Sequence, residues 1–347
     1  MKFKNIKINF SNDLKLLVEE LDFYFQNLVK YFTLNEKWNF NNFSELEIKK
    51  CYVRGLLRYN NLTNKINLKV QDLVKEKIDT KHFKWITLPY PMIHLPNDLS
   101  ESSSMLHYDQ GDSNDMYTCW MPITKNEYSE LNICRLENQF IDFFRKIVSK
   151  FKFFNLFSIS LKANVGNYYL WTGKLLHKGN LNISSKPSCA LQMKLSKNEY
   201  KTERSFLIKN YTPKKISQNE TEIDFKKNYL IFKEIIKQLD NINLNDYLNS
   251  KQLLKAISKI IFENSKCKSP EISFALSVLS QRFRSVNPKD WNKCFCYDLA
   301  SLLIGSENLV SLDRVNKDSK KIFKDSLTYL ELKEVDDFNV LSPDIKN

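Results

Sequence analysis

The chain is poor in glycine and histidine, with six and four of these residues in 347. Glycine is the residue that tight turns tolerate best, so its position is informative where it is scarce. Four of the six glycines lie between residues 111 and 179, among short segments rich in aromatic and β-branched residues. This concentration predicts that the turn-rich, β-sheet part of the protein lies in the middle of the chain.

Long apolar runs are also missing, and none approaches the roughly 20 residues that a membrane-spanning helix needs. The first residues, MKFKNIKINFSND, contain one short apolar patch and no small-residue cleavage site. The sequence therefore predicts neither a membrane segment nor a signal peptide. A cytoplasmic protein without membrane partners is the resulting expectation.

Paired cysteines are absent as well. The seven cysteines are scattered and odd in number, and no CxxC spacing occurs among them. Cys294 and Cys296 form a CxC pair with no second pair and no nearby histidine. These features argue against a disulfide framework and against a structural zinc site.

Charge of one sign is abundant, because 53 Lys and Arg face 40 Asp and Glu for a net charge of +13. The lysines are spread along the whole chain, and no basic stripe with interleaved aromatic residues occurs. No nucleic-acid partner is therefore expected. The alternative, a basic nucleic-acid-binding module, would bind with an affinity that falls steeply with salt and survives chelators.

Hydrophobic periodicity divides the chain into three parts. Amphipathic helices are predicted for residues 11–33, from the apparent capping box at Ser44 and Glu47, and for residues 67–78. Short strands are predicted from residue 83, and helices return from about residue 222. The fold class is predicted to be α+β, with an N-terminal helical segment (1–82), a β core (83–212) and a C-terminal helical domain (213–347).

The chemistry centres on the stretch SMLHYDQGDS. On a strand, residues two apart share a face, so His107 and Asp109 can reach one ion between them. His177 follows a later strand and a glycine turn, and it is the candidate for a third ligand. Two imidazoles and one carboxylate on one face of a metal are typical of non-haem Fe(II) oxygenases. A chance pair and a hydrogen-bonded structural histidine remain the alternatives.

Residues 94 to 196 resemble the Fe(II)/2-oxoglutarate dioxygenases related to phytanoyl-CoA hydroxylase. The matching motifs follow the family's order: HLP, HYD, YTCWMPIT, ELNICRL, VGNYYLW, HKGNLN and SCALQMKLS. Members found in aminoglycoside and surface-carbohydrate biosynthesis are the most similar in these motifs. The resemblance covers about a third of the chain, and each of its motifs is short.

The resemblance implies a double-stranded β-helix, or jelly-roll, core with helices on either side. It implies Fe(II) held by His107, Asp109 and His177, with 2-oxoglutarate and O2 as cosubstrates. Such an enzyme hydroxylates a small molecule and releases succinate and CO2, and the resemblance to carbohydrate-biosynthesis members makes a sugar or carbohydrate precursor a candidate substrate. The same resemblance implies that Trp120 flanks the cosubstrate. A tryptophan of the hydrophobic core is the alternative interpretation.

The sequence departs from the family at one position. The family anchors the remote carboxylate of 2-oxoglutarate with an arginine about eleven residues after the second histidine, where this chain has Ser188. A buried carboxylate needs a cation, and Lys194 is the predicted anchor together with Ser188. Other cations could take this role: Lys186, Lys162 and Arg135.

The missing arginine leaves a second function open, that of a catalytically inactive, cupin-like protein that binds metal or ligand. The C-terminal helices carry no chemistry that the sequence reveals. Their apolar faces need a partner in this chain or in another, so a homo-oligomer through these helices is one expectation.

Overall fold

The computed structural model describes residues 8–77, 84–85, 89–98, 116–125, 129–134, 158–162, 165–172, 175, 177–196, 222–247, 250–264, 269–286 and 291–304. The N-terminal elements are β1 (Ile8–Asn9), α1 (Asn12–Phe32), α2 (Phe43–Arg58) and α3 (Asn61–Lys77). The central strands are β2 (Lys84–Trp85), β3 (Tyr90–His94), β4 (Met116–Pro122), β5 (Ser129–Cys134), β6 (Ser158–Lys162), β7 (Asn167–Thr172), β8 (His177–Gly179) and β9 (Ser188–Ser196). The C-terminal helices are α4 (Glu222–Asp240), α5 (Ser250–Asn264), α6 (Pro270–Val286) and α7 (Trp291–Ile304).

The chain forms two compact units. The first, called the sheet unit below, consists of Met1–Leu46 and Asn60–Tyr200. The second, called the helical unit, consists of Glu47–Tyr59 and Lys201–Asn347. Most of α2 thus belongs to the helical unit, while α1, α3 and all described strands belong to the sheet unit. The three-part division predicted at residues 82 and 212 stays a prediction.

The larger sheet of the sheet unit has the strand order β1-β7-β4-β9-β2, and β3 also pairs with β9. Every pairing in it is antiparallel. Its central pair joins β4 to β9, strands about 70 residues apart in sequence, with Trp120 opposite Gln192. The long central strand β9 thereby brings together β3 and β4, which precede it by many residues.

The second sheet has the order β6-β5-β8 and is also antiparallel. Side chains from both sheets pack into one hydrophobic cluster, which makes the inner faces of the two sheets the interior of the unit. Consecutive strands from β6 to β9 alternate between the two sheets. The cluster consists of Trp120, Leu131, Ile133, Tyr169, Trp171 and Ala190, with Met92 and Leu175 packed against it.

The first helix has the ends that its sequence predicts. The Ser11 side chain accepts a hydrogen bond from the Leu14 N–H at 3.3 Å, which satisfies a donor of the first turn. Thr33 ends the helix in the left-handed conformation with φ 52°. Leu14, Leu21 and the other apolar residues of one face are buried, so α1 packs through its apolar face.

Small residues bring two helices of the helical unit close together. On α6, Ser273, Ser277 and Ser280 are all fully buried. The hydroxyl of Ser273 donates to the Ser301 carbonyl of α7 at 2.7 Å, and the Ser301 hydroxyl donates back to the Ser273 carbonyl at 2.7 Å. Because the hydroxyls of Ser273, Ser280 and Ser301 each donate to a backbone carbonyl, these three side chains can be buried at little cost.

The capping box predicted at Ser44 and Glu47 is wrong. Helix α2 begins at Phe43, so Ser44 lies inside its first turn. Glu47 is fully buried in the helical unit, where its carboxylate contacts the ammonium of Lys50 and accepts from Arg282 Nε at 3.2 Å. Because a buried charge must be paired, the Glu47 carboxylate is directed to these two cations and not to the start of the helix.

Within the part of the chain that the structure describes, no helix combines the length and apolarity that crossing a membrane requires. Helices and antiparallel sheets together confirm the mixed class predicted from the sequence. The part of the predicted C-terminal helical domain that follows Ile304 lies outside the described residues.

Candidate metal centre

Two of the three predicted ligands, His107 and Asp109, lie outside the described residues. Among the residues that the structure describes, no three His, Cys, Asp or Glu side chains form a group that could hold a metal ion. The third predicted ligand, His177, is described in full.

His177 is the first residue of β8, and its side chain is directed into the interior between the sheets. It pairs with Ile133 of β5, a member of the shared hydrophobic cluster, so the two side chains lie on the same face. The imidazole is 3% exposed. Its ring centroid lies 5.4 Å from that of Trp171 on the opposite sheet, with the planes tilted by 59°.

A backbone contact defines the tautomer of this ring. Nδ1 of His177 lies 3.0 Å from the carbonyl oxygen of Leu175. Because a carbonyl can only accept, the hydrogen bond requires a proton on Nδ1, and the lone pair of the neutral ring is then on Nε2. Metal-binding histidines commonly use this arrangement, in which one nitrogen donates to a carbonyl while the other ligates.

The register of the larger sheet places three residues of neighbouring strands in one row, and one of them, Trp171, contacts His177. Thr118 of β4 lies opposite Trp171 on one side and opposite Lys194 on the other. Directly opposed residues of antiparallel strands share a face, and Trp171 faces the interior. Thr118 and Lys194 therefore also face the interior, with Lys194 two strands, or roughly 10 Å, from Trp171.

Ser188 lies at the other end of the same strand. It is fully buried and pairs with His94, the last residue of β3. Lys194 is six positions after Ser188, so their α-carbons are about 20 Å apart along an extended strand. Of the two predicted anchors, Lys194 lies in the row of the residue that contacts His177.

Trp120 lies in the interior, 3% exposed, one row away from Thr118. Its ring centroid is 5.7 Å from that of Tyr169, and both rings belong to the hydrophobic cluster. Gln192 lies opposite Trp120 and is half-buried. The predicted contact between Trp120 and a cosubstrate stays a prediction.

The segment after His177 is held by asparagine side chains. Asn180 Nδ2 donates to Asn132 Oδ1 of β5 at 3.1 Å, and the Ser160 hydroxyl of β6 donates to the same oxygen at 2.7 Å. Asn182, 1% exposed, donates from Nδ2 to the His94 carbonyl at 2.9 Å. These bonds tie the loop between β8 and β9 to both sheets.

A buried thiol lies on the other face of β4. Cys119 alternates with Thr118 and Trp120 and is fully buried. Burial raises the pKa of this thiol far above its usual range, because the thiolate would lose its hydration. Cys119 therefore stays protonated, and it lies on the face of β4 opposite to Thr118 and Trp120.

The alternatives for the anchoring cation differ in what the structure describes of them. Lys186 is exposed in the loop before β9. Arg135 and the side chain of Lys162 lie outside the described residues. Lys194 is half-buried on the inner face of β9.

Sequence reasoning did not single out Trp171 or Thr118. Trp171 comes two residues after Tyr169, so strand parity in NYYLW could have placed both on one face. The row that joins Trp171, Thr118 and Lys194 depends on the registers of two strand pairs, and no local sequence signal gives these.

Comparison with known proteins finds no protein-family model and no curated protein that matches this chain. Solved structures do match, at low similarity. One is a non-heme alpha-ketoglutarate-dependent carbocyclase, SnoK, from nogalamycin biosynthesis, with 11% identity and a TM-score of 0.23 over 32% of this chain. That match spans half of the carbocyclase's own length.

Two further structures match over more of their length. AviO1 from Streptomyces viridochromogenes Tue57 has 10% identity and a TM-score of 0.34, covering 56% of this chain and 89% of its own. The non-heme monooxygenase ThoJ, in a nickel complex, has 10% identity and a TM-score of 0.33, covering 76% and 95%. TM-scores this low do not establish a shared fold.

Proposed function

We propose that this protein is an Fe(II)/2-oxoglutarate-dependent dioxygenase that hydroxylates a small molecule. Its core is then a double-stranded β-helix. Two antiparallel sheets with a common interior support this assignment, as do strands that alternate between the sheets from β6 to β9. The sequence motifs between residues 94 and 196 support the same class.

The observation that carries the proposal is the setting of His177. A buried imidazole at the start of a strand faces the common interior, and its Nδ1 is occupied by the Leu175 carbonyl. This leaves Nε2 as the nitrogen with metal-binding chemistry. The donor type therefore fits Fe(II), for which His177 would be a ligand together with His107 and Asp109.

When bound, Fe(II) and 2-oxoglutarate supply the oxidative chemistry, with O2 consumed and succinate and CO2 released. The protein's own residues bind, orient and exclude water. Lys194 binds the remote carboxylate of 2-oxoglutarate as its countercharge, since a carboxylate in a dry site needs a cation. The buried rings of Trp120 and Trp171 keep water from the inner face.

A second function is favoured by Ser188. This fully buried serine occupies the position of the family's arginine and supplies no countercharge. A cupin-like protein that binds metal or ligand without turnover would tolerate that loss. The two functions differ in whether 2-oxoglutarate chelates the metal and is consumed.

Anaerobic addition of Fe(II) and then 2-oxoglutarate tests the choice between them. The oxygenase predicts a metal-to-ligand charge-transfer band that appears with 2-oxoglutarate and, on admission of air, succinate formation. Metal binding with neither band nor succinate would favour the cupin-like protein. Succinate release can then be used to screen small molecules, including sugars and carbohydrate precursors, for the substrate.

Titration of the same band tests the anchor. Lys194→Ala should weaken 2-oxoglutarate binding at least about tenfold, equivalent to about 1.4 kcal/mol, because it removes the countercharge. Lys186→Ala is the matched control, since Lys186 is exposed in the preceding loop, and it should bind as the wild type does. Equal affinities in the two variants would assign the anchor to another cation.

The cytoplasmic location and a homo-oligomer through the C-terminal helices stay predictions from the sequence.

A further inference from the structure

The orientation of the His177 ring plane requires a contact from the opposite sheet. Its strand, β8, has three residues and pairs with β5 in the described sheet. The bond from Nδ1 to the Leu175 carbonyl selects the nitrogen that faces the interior. One hydrogen bond in the ring plane restrains the tilt of that plane only weakly, because hydrogen-bond angles at a carbonyl are broadly distributed.

Trp171 supplies the missing restraint. Its ring is 2% exposed and lies 5.4 Å from the His177 ring at 59°, within the range of favourable tilted aromatic contacts. Trp171 belongs to β7, which is paired with β4 over four residues and with β1 on its other side. The pairing with Thr118 and the surrounding hydrophobic cluster restrain this indole, so it resists a tilt of the imidazole against it.

We infer that Trp171 is a positioning residue that fixes the plane of the His177 imidazole and so directs Nε2 toward the metal. The inference rests on the proposed function, since it takes His177 to be a ligand. Hydrogen-bonded partners that orient a metal ligand typically contribute 10- to 100-fold to metal affinity, and an aromatic contact that fixes the same ring acts on the same property, its orientation. A tryptophan that only fills the core would contribute to stability and leave the metal affinity of the folded protein unchanged.

Co(II) is a suitable probe, because its visible absorption reports both binding and ligand geometry without turnover. Titration of the apoprotein should show Trp171→Ala binding Co(II) about tenfold or more weakly, with an altered visible spectrum. Trp171→Phe, which retains an aromatic ring, should recover most of the affinity. Thermal unfolding without metal measures the stability cost of each variant separately.

Tyr169→Ala is the matched control. Tyr169 lies on the same strand and face, belongs to the same cluster, and has its ring against Trp120. It should lose stability yet bind Co(II) with the wild-type affinity and spectrum. If Trp171→Ala folds too poorly to titrate, Trp171→Leu keeps more of the volume and should show the same loss of affinity.

Wild-type affinity and spectrum in a folded Trp171→Ala or Trp171→Leu would overturn the inference. So would an equal loss in Tyr169→Ala, because it would indicate a general effect of core packing. If the wild-type protein itself binds no Co(II), the proposed function fails and the inference fails with it. That result is distinguishable, because it is seen before any substitution is made.

Discussion

Gly55→Ala is predicted to destabilise the helical unit, although alanine is the better helix former. A β-carbon on Gly55 would lie 2.4 Å from the carbonyl oxygen of Glu271, 3.0 Å from its carbonyl carbon and 3.1 Å from its α-carbon. Ordinary contacts begin at 3.4 Å, so the oxygen is about 1 Å too close. All three atoms are backbone, and no side-chain rotation can relieve the clash.

The magnitude follows from two opposing terms. Forcing an extra carbon into a packed interior costs about 1–3 kcal/mol, and a contact between two backbones lies at the upper end. Replacing glycine within a helix returns about 1 kcal/mol. We therefore expect the free energy of unfolding to fall by about 2 kcal/mol, measured by urea denaturation followed by circular dichroism.

The sign of the change in the free energy of unfolding shows whether the clash is present. Without the clash, alanine at this helical position would raise stability by about 1 kcal/mol. The double variant Gly55→Ala with Glu271→Ala is the control, because removing the Glu271 side chain leaves the clashing backbone in place. A stabilised Gly55→Ala protein would refute the close approach of α2 and α6 at this point.

Two further predictions concern buried carboxylates of the helical unit. Glu47→Gln should lower the free energy of unfolding by about 3 kcal/mol or more, because it leaves Lys50 and Arg282 beside a neutral amide. Adding Lys50→Met should restore part of the lost stability. If urea denaturation gave Glu47→Gln the same free energy of unfolding as the wild type, the ion network would be contradicted. Burial raises the pKa of Glu271 in the folded state, so the stability linked to its proton is present at low pH and is lost as the pH rises through the folded-state pKa. Glu271→Gln should therefore exceed the wild type in stability at neutral pH and lose this advantage in acid, whereas parallel stability profiles against pH would rule out the shift.

The sequence predicted the types of most elements because their signals are local. Apolar residues at three-to-four spacing indicated α1, α4, α5 and α6, and short aromatic segments between turn residues indicated β4, β7 and β9. Helix ends were less well predicted. Helix α3 begins at Asn61, before the residue at which the weak apolar pattern starts.

The arrangement of these elements could not be predicted in the same way. Lys50, Arg54 and Arg58 give α2 the composition of a surface helix, yet all three are buried in the helical unit. Charged residues are seldom fully buried unless paired, so composition alone pointed the wrong way. Their burial depends on residues more than 200 positions away, such as Phe274, whose ring centroid lies 4.4 Å from the Arg58 guanidinium.

The candidate site shows the same limit. Residue type and turn signals pointed to His177, which is buried; its role as a metal ligand stays a prediction. The aromatic neighbour of His177, Trp171, comes from the opposite sheet, and its row is set by pairings between strands that are distant in sequence. Trp171, Thr118 and Lys194 form one row only once the registers of β7, β4 and β9 are known.

The convergence of His107, Asp109 and His177 on one ferrous ion is the central claim. Anomalous diffraction at the iron edge, from crystals grown anaerobically with Fe(II), tests it most directly. The account predicts one strong iron peak within bonding distance of His177 Nε2, an imidazole nitrogen of His107 and a carboxylate oxygen of Asp109. An iron peak elsewhere, or a His177 ring that ligates nothing in iron-soaked crystals, would contradict it.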